Sequence, residues 1–178
     1  MRIVGGALRG REVVSKHFRG RPTSSFAREG LFNVLANRLE WPGVSVLDLY
    51  AGTGMVAFEC MSRGARSATC VELAAAHVRE IRRNAQLLGI ANLIVCQQPA
   101  LRYIQRAKER FQLIFADPPY DIPGAEEFPA QLLASGLLEP GGLFVYEHRK
   151  GYSVQPAPSE SRSYGDTTFA MYGEGLGD

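Results

Sequence analysis

Apolar residues between positions 44 and 146 form short runs that are separated by amphipathic stretches. Runs of this kind, rich in Val, Ile and Leu, are typical of buried parallel strands. They predict strands at 44–50, 68–73, 93–96, 111–116 and 143–146. The intervening stretches predict helices that end near Gly64, at Gly89, near residue 110 and at 139–142. This alternation predicts an α/β fold, with a mostly parallel central sheet and helices on both faces.

The N-terminal part of the chain has a different pattern. Short apolar stretches at 2–4 and 13–14 flank a glycine-rich loop, which predicts a small β-hairpin. Capping side chains at 23–25 precede a helix that places Ala27, Leu31 and Leu35 on one face. We therefore expect one main α/β domain at 41–178, preceded by an N-terminal extension of hairpin plus helix at 1–40. Weaker strand patterns in the tail occur at 152–154 and 167–172.

The composition is that of a globular protein, with 46% hydrophobic and 21% charged residues. No apolar run approaches the roughly 18 residues of a membrane span. The first residues also lack the apolar core of a signal peptide. The three cysteines have no metal-ligand spacing, which favours free thiols in a reducing compartment. We therefore expect a cytoplasmic monomer that binds neither a membrane nor a metal.

Charge is distributed unevenly, although the net charge is only +2. Residues 1–38 carry eight Lys and Arg against two acids, whereas the rest of the chain carries twelve against sixteen. A basic segment attached to a mildly acidic body favours a polyanionic partner. We expect that partner to be nucleic acid.

A tetrapeptide, Asp117, Pro118, Pro119 and Tyr120, directly follows the predicted strand at 111–116. Open α/β sheets bind their ligands at this end of their strands. Asp117 can accept a hydrogen bond from an exocyclic amine, the prolines hold the local carbonyls in place, and Tyr120 offers a face for stacking. The same residues also make ordinary turns. If the tetrapeptide is functional, it grips a planar amine, such as that of a nucleobase or of a protein glutamine.

A second motif connects the first predicted strand to its helix. Gly52 and Gly54 allow the backbone to approach a ligand closely, and Glu72, at the end of the next strand, can accept hydrogen bonds from ribose hydroxyls. The glycine spacing fits both a dinucleotide and S-adenosylmethionine. Asp48 favours S-adenosylmethionine, because its carboxylate would repel a pyrophosphate and attract an α-ammonium group. A nicotinamide cofactor is the alternative.

Several segments resemble bacterial small-subunit ribosomal RNA guanine-N2 methyltransferases, a family of class I, Rossmann-like enzymes. They are RIVGG (2–6) with RGR (9–11), RPT (21–23) with REGLFN (28–33), DLYAGTG (48–54) with SRGA (62–65), and YGDT (164–167). The Asp-Pro-Pro-Tyr tetrapeptide is similar to the catalytic motif of amino methyltransferases that act on nucleobases. The first two pairs of segments are the most diagnostic, and the likeness extends over nearly the full chain.

The resemblance implies methyl transfer from S-adenosylmethionine to the N2 amine of a guanine in 16S ribosomal RNA, within a small-subunit assembly particle. The implied catalytic residues are Asp117, Pro118, Pro119 and Tyr120. The implied cofactor contacts are Asp48, Tyr50, Ala51, Gly52, Thr53, Gly54, Glu72, Leu73 and Gln98. The implied RNA contacts are Arg9, Arg11, Arg19, Arg21, Thr23 and Arg28.

The chain departs from the family pattern at two places. The family often has an acid near the end of the third strand that meets the adenine amine. Pro99 stands in the corresponding stretch, so Gln98 or a backbone carbonyl would take this contact. Ser25 and Phe26 stand where the family has an acid and a basic residue. Two other functions stay open, namely N6-adenine or N4-cytosine methylation and a non-catalytic role as an RNA-binding protein in ribosome assembly.

Overall fold

A computed structural model describes residues 1–173 and contains one seven-stranded sheet. The strands are β1 (Ser45–Leu49), β2 (Ser67–Glu72), β3 (Leu93–Gln97), β4 (Phe111–Ala116), β5 (Leu138–Arg149), β6 (Glu160–Tyr164) and β7 (Thr167–Gly173). The α-helices are α1 (Ser25–Ala36), α2 (Met55–Ser62), α3 (Ala75–Leu87), α4 (Ala100–Arg106) and α5 (Phe128–Ala134). Residues 174–178 of the expected main domain lie outside the described residues. No helix within 1–173 is long and apolar enough to cross a membrane.

The strand order is β3-β2-β1-β4-β5-β7-β6. Neighbouring strands among β1 to β5 run parallel to each other. Strand β7 pairs antiparallel with β5, and β6 pairs antiparallel with β7. The predicted mostly parallel sheet is therefore confirmed. Leu49 pairs with Val71 of β2 and with Ala116 of β4, so the carboxyl ends of these three strands lie side by side. Residues that follow them meet at one edge of the sheet.

The sheet separates two hydrophobic cores. Helices α1, α2 and α3 pack with Val46 and Leu113 on one face, whereas α4 and α5 pack with Leu47 and Ile114 on the other. Successive strand residues point to opposite faces of the sheet. Val46 and Leu47, and likewise Leu113 and Ile114, are therefore adjacent residues that are both buried, one in each core. This explains why the apolar runs in the sequence are continuous rather than alternating.

The N-terminal segment packs onto the face that carries α2 and α3. Ile3 and Val13 are buried in the same core as these helices. Within the described chain its two arms are joined by one isolated bridge, between Arg2 and Glu12, instead of the two predicted strands. Gly10 N–H donates to Ile3 O at 2.8 Å and closes the loop. The segment therefore reverses direction as the predicted hairpin does, but its two arms pair over too short a length to form regular strands.

A buried ion pair joins the N-terminal segment to the sheet domain. Glu59 of α2 is fully buried, and its Oε1 accepts from Val4 N–H at 2.7 Å and lies 3.3 Å from Arg28 Nε of α1. Arg63 Nε lies 3.7 Å from the other carboxylate oxygen. Arg28 Nη2 also donates to Arg2 O at 2.9 Å. One carboxylate thus connects the chain start, α1 and α2.

The tail is where the structure differs most from the sequence prediction. Strand β6 is not predicted, because its residues are mostly polar and exposed at the sheet edge. Residues 152–154 form no strand, and Val154 packs in the second core instead. Strand β5 begins at Leu138, because the predicted glycine stop falls at a register irregularity opposite Phe111 and Leu113 of β4. Helices α4 and α5 are shorter than predicted.

Candidate active site

A cavity of about 650 Å³ opens at the carboxyl ends of β1, β2 and β4. Its walls include residues at and beyond the ends of these strands, together with Phe18 and residues 20–23 of segment 15–23, which we call the strap. Every predicted catalytic residue lines the cavity, and so does every predicted cofactor residue except Gly54. Gly54 instead forms the N-cap of α2. The parallel topology therefore brings the two sequence motifs into one site.

The turn after β1 depends on left-handed backbone. Tyr50, Gly52 and Gly54 have φ angles of 58°, 55° and 76°. Gly54 N–H donates to Ala51 O at 2.7 Å and closes the turn. A Cβ at Gly52 would lie 2.9 Å from a ring carbon of Phe18 in the strap. Glycine is thus needed here both for its conformation and for the close approach of the strap.

Glu72, the last residue of β2, holds the turn from the side. Its Oε2 accepts from Gly52 N–H at 2.7 Å, and its Oε1 accepts from Ala74 N–H at 2.8 Å. Each carboxylate oxygen can accept more than one hydrogen bond. The residue therefore fixes the cofactor loop and still has capacity for the hydroxyls of a ribose.

Asp48 lies beneath the turn and is only 1% exposed. Its Oδ2 accepts from Ala57 N–H of α2 at 3.2 Å. Burial raises the pKa of Asp48 well above its ordinary value, and the charges of Glu72 and Glu147 raise it further, against the effect of the Ala57 N–H. No ion pair within residues 1–173 includes this carboxylate. A cationic ligand group would supply the missing partner.

The far end of the cavity is apolar. Leu73 and Leu101 line it and are 63% and 40% exposed. Gln98 lies in the same wall, next to Pro99 at the start of α4. Exposed leucines beside a side-chain amide can cover a flat ring and bind its polar edge. Sequence reasoning missed Leu101, because only the position of α4 brings it to the cavity that Leu73 also lines.

The tetrapeptide begins where β4 ends. Asp117 N–H donates to Leu49 O at 3.4 Å, which places the residue beside the turn after β1. Burial raises the pKa of Asp117 well above its ordinary value, and the charges of Glu147 and Asp48 add to this shift. Pro118 is buried, whereas Tyr120 is 38% exposed. The Arg149 guanidinium lies 5.6 Å from the centre of the Tyr120 ring, which helps to position that ring.

Glu147 is a buried acid that adjoins this site through Thr23 and that sequence reasoning did not select. It lies in β5 one position beyond Tyr146, which pairs with Ala116 of β4, and it is only 2% exposed. Thr23 Oγ1 donates to its Oε2 at 2.7 Å. Burial raises the pKa of Glu147 to about 7, although the Thr23 hydrogen bond lowers it. The only sequence signal was an acid directly after an apolar strand, which is a common pattern.

The strap lines the cavity and is attached to α3. Lys16 and His17 donate their backbone N–H groups to Glu80 Oε1 at 2.8 and 3.2 Å. The ring of Phe18 lies 5.4 Å from that of His77, centre to centre. The strap therefore forms a wall of the cofactor cavity and not a free arm.

The predicted RNA contacts fall into three groups. Four of them are exposed on the N-terminal segment and its strap, namely Arg9, Arg11, Arg19 and Arg21. The prediction for Arg28 is wrong, because this side chain is only 2% exposed and is held by Glu59. Thr23 lies in the cleft, bound to Glu147. Within residues 1–173 no group of His, Cys, Asp or Glu has the arrangement of a metal site.

Comparisons with known proteins identify the family of the chain. The family model for conserved hypothetical protein 95 matches residues 1–173. Ribosomal RNA small subunit methyltransferase D of Escherichia coli K12 is 33% identical over 160 residues, which cover 89% of this chain and 80% of the relative. The protein of the same name from Haemophilus influenzae is 30% identical over 155 residues, which cover 84% of this chain and 79% of the relative.

Solved structures show the same fold. A hypothetical protein from Thermus thermophilus is 33% identical, covers 97% of this chain and 99% of its own, and has a TM-score of 0.87. An RNA methyltransferase from Salinibacter ruber, in complex with S-adenosyl-L-homocysteine, has a TM-score of 0.65 at 18% identity, covering 89% of this chain and 100% of its own. The fold is therefore the class I, Rossmann-like methyltransferase fold. The chain belongs to the conserved hypothetical protein 95 family and, by its similarity to ribosomal RNA small subunit methyltransferase D, to that family of ribosomal RNA methyltransferases.

Proposed function

We propose that the protein methylates the exocyclic N2 amine of a guanine in 16S ribosomal RNA, using S-adenosylmethionine. The observation that carries this proposal is the shared cavity, in which Asp48 and Glu72 flank the cofactor loop while Asp117 opens into the same space. The relatives named ribosomal RNA small subunit methyltransferase D support the substrate class. We take the substrate to be RNA within a small-subunit assembly particle.

The side chains that line the cavity suit a cationic adenosine cofactor. S-adenosylmethionine supplies an electrophilic methyl group from its sulfonium when it is bound. Asp48 binds its α-ammonium group, Glu72 accepts hydrogen bonds from its ribose, and Leu73 and Leu101 cover its adenine. Gln98 contacts the adenine edge in place of the acid that the family often has. The buried charge of Asp48 opposes a pyrophosphate, which disfavours a nicotinamide cofactor.

The tetrapeptide orients the amine for attack. Guanine N2 is a poor nucleophile, because its lone pair is delocalised into the ring. Asp117 and the Pro118 carbonyl accept its two hydrogens, which favours a pyramidal nitrogen with its lone pair facing the methyl group. Tyr120 stacks on the base and fixes its plane. The chain accelerates the reaction mainly by this alignment.

The surrounding carboxylates stabilise the charge that develops on the amine. Transfer makes the nitrogen positive before it loses a proton. When ionised, Asp117, Glu147 and Asp48 place negative potential near this position. Burial raises the pKa of Asp117, and the charges of Glu147 and Asp48 raise it further. A bound cation in the cavity favours the ionised form of Asp117, which can then accept the amine proton.

The exposed arginines of the N-terminal segment bind the RNA backbone in this proposal. Positive charge is exposed in the strap and in the loop that precedes it, on Arg9, Arg11, Arg19 and Arg21. Contacts to phosphates orient the RNA but do not read its sequence. A base within folded RNA must be extruded to reach the cavity. Residues 1–40 would thus act as the RNA-contacting unit.

Methyl transfer to small-subunit RNA from cells that lack this protein tests the proposal. We expect incorporation of label from S-adenosylmethionine into N2-methylguanine at one position, identified by mass spectrometry of nuclease fragments. Asp117→Ala should lower the rate by at least about 100-fold, the scale of losing one electrostatic contact in the transition state. Cofactor binding, measured by calorimetry, should be largely retained.

The outcomes separate this function from the alternatives. Label in N6-methyladenine or N4-methylcytosine would replace the guanine assignment with another nucleobase. Full activity of Asp117→Ala would contradict the role of the tetrapeptide. Absence of S-adenosylmethionine binding by the wild-type protein would favour a non-catalytic RNA-binding role.

A further inference from the structure

Glu147 is a buried carboxylate that is only half satisfied by the protein. Its Oε2 accepts from Thr23 Oγ1 at 2.7 Å. Its Oε1 receives no hydrogen bond from residues 1–173, and this atom is not among the fully buried polar atoms. No cation of the described chain pairs with the residue. Burying a carboxylate in this way costs free energy unless another donor meets it, so Oε1 is available to a ligand.

Glu147 lines a second cavity, which shares three residues of the tetrapeptide with the cofactor cavity. This smaller cavity has a volume of about 290 Å³. Pro118, Pro119 and Tyr120 line both the smaller cavity and the cofactor cavity. A base whose amine is held by the tetrapeptide therefore has its ring beside Glu147. Glu147 is also close enough to Asp117 to raise the pKa of that carboxyl.

The chemistry next to the amine differs among the bases. On the Watson–Crick edge the ring nitrogen beside the guanine amine is a donor, N1–H. In adenine and cytosine the corresponding ring nitrogen is an acceptor with a lone pair. The ionised form of Glu147, which dominates above its pKa of about 7, accepts from the first and repels the others. Sites built around such a hydrogen bond reject analogues that lack it far more strongly than apolar pockets do.

We propose that Glu147 selects guanine by accepting a hydrogen bond from N1–H, while Thr23 holds the carboxylate in position. This inference rests on the proposed function and adds to it the residue that determines base choice. The tetrapeptide grips any planar amine, so discrimination must come from a neighbouring group. Thr23 comes from the strap, which couples base choice to the segment that also covers the cofactor cavity.

A base analogue tests this role directly. 2-Aminopurine keeps the C2 amine of guanine but has a lone pair at N1. At about pH 8, where Glu147 is mostly ionised, RNA carrying guanine or 2-aminopurine at the mapped position gives a ratio of kcat/KM values. Glu147→Gln should lower this ratio by about 10- to 100-fold relative to wild type, the range for a hydrogen bond to a charged group. The glutamine amide can donate to N1 of the analogue, and the missing O6 affects both proteins equally.

Two further variants complete the experiment. Glu127→Gln is the matched control, because this exposed glutamate lines the same cavity, and it should leave the ratio unchanged. Thr23→Val keeps Glu147 but removes its hydroxyl partner, and it should lower the ratio by a smaller factor. If Glu147→Gln fails to fold, as judged by circular dichroism, Thr23→Val decides the question.

An unchanged ratio in the folded Glu147→Gln protein would overturn the inference. If Glu147→Gln does not fold, an unchanged ratio in Thr23→Val would do the same. In either case, methylation of guanine by the wild-type protein would still support the proposed function. If the wild-type protein methylates no guanine, the proposed function itself fails. The two failures are therefore distinct.

Discussion

Replacing Glu147 by glutamine should change how the stability of this protein depends on pH. Burial raises the pKa of Glu147 from 4.5 to about 7. In that pH range the unfolded chain has lost the proton that the folded chain still holds. The free energy of unfolding of the wild-type protein therefore falls as the pH rises through this window. One pKa unit corresponds to 1.36 kcal/mol, so the loss attributable to this residue is about 3 kcal/mol.

Urea denaturation of both proteins from about pH 5 to about pH 8 measures this effect. Glutamine has nearly the same shape but no titratable proton. The stability of wild type minus that of Glu147→Gln should therefore decrease over the range by up to about 3 kcal/mol. Relief of the repulsion between Glu147 and Asp117 acts in the same direction. Taking the difference between proteins removes the contributions of groups that both share.

The matched control is Glu126→Gln, which changes an exposed glutamate near the same cavity. Its stability curve should remain parallel to that of wild type, because water solvates this carboxylate in the folded and unfolded chains. A difference between wild type and Glu147→Gln that stays constant within about 0.5 kcal/mol would refute the reasoning. It would mean that Glu147 is as well solvated as a surface carboxylate.

Three further predictions concern other parts of the structure. Glu59→Ala leaves Arg28 as a buried charge without a partner and should lower the free energy of unfolding by about 3–5 kcal/mol, measured by urea denaturation. Gly52→Ala places a Cβ 2.9 Å from a ring of the strap at a φ of 55°, so calorimetry should show at least about tenfold weaker S-adenosylmethionine binding. Reversing the charge at both Arg9 and Arg11 should weaken RNA binding and reduce the slope of log K against log salt by about two; an unchanged slope would exclude phosphate contacts there.

The sequence predicted those features of the fold that depend on local pattern. The strand at 111–116 matches β4 residue for residue, because its apolar run is buried on both faces and ends at a carboxylate and prolines. The convergence of Asp48, Glu72 and Asp117 also followed from the sequence, since parallel strands bring their carboxyl ends to one edge. Strand β6 was not predictable, because its polar residues become a strand only by pairing with β7.

Long-range contacts decided what the sequence could not. Whether Arg28 faces solvent or Glu59 depends on how α1 packs against α2, and nothing in the local sequence of either helix states this. The pairing of Thr23 with Glu147 joins residues 124 positions apart. Hydrophobic periodicity is a property of neighbouring residues, so the chain alone determines which segments are strands and helices. The burial and partner of a charged side chain are set by segments distant in sequence, so only the tertiary structure determines that Arg28 is structural and that Glu147 adjoins the site.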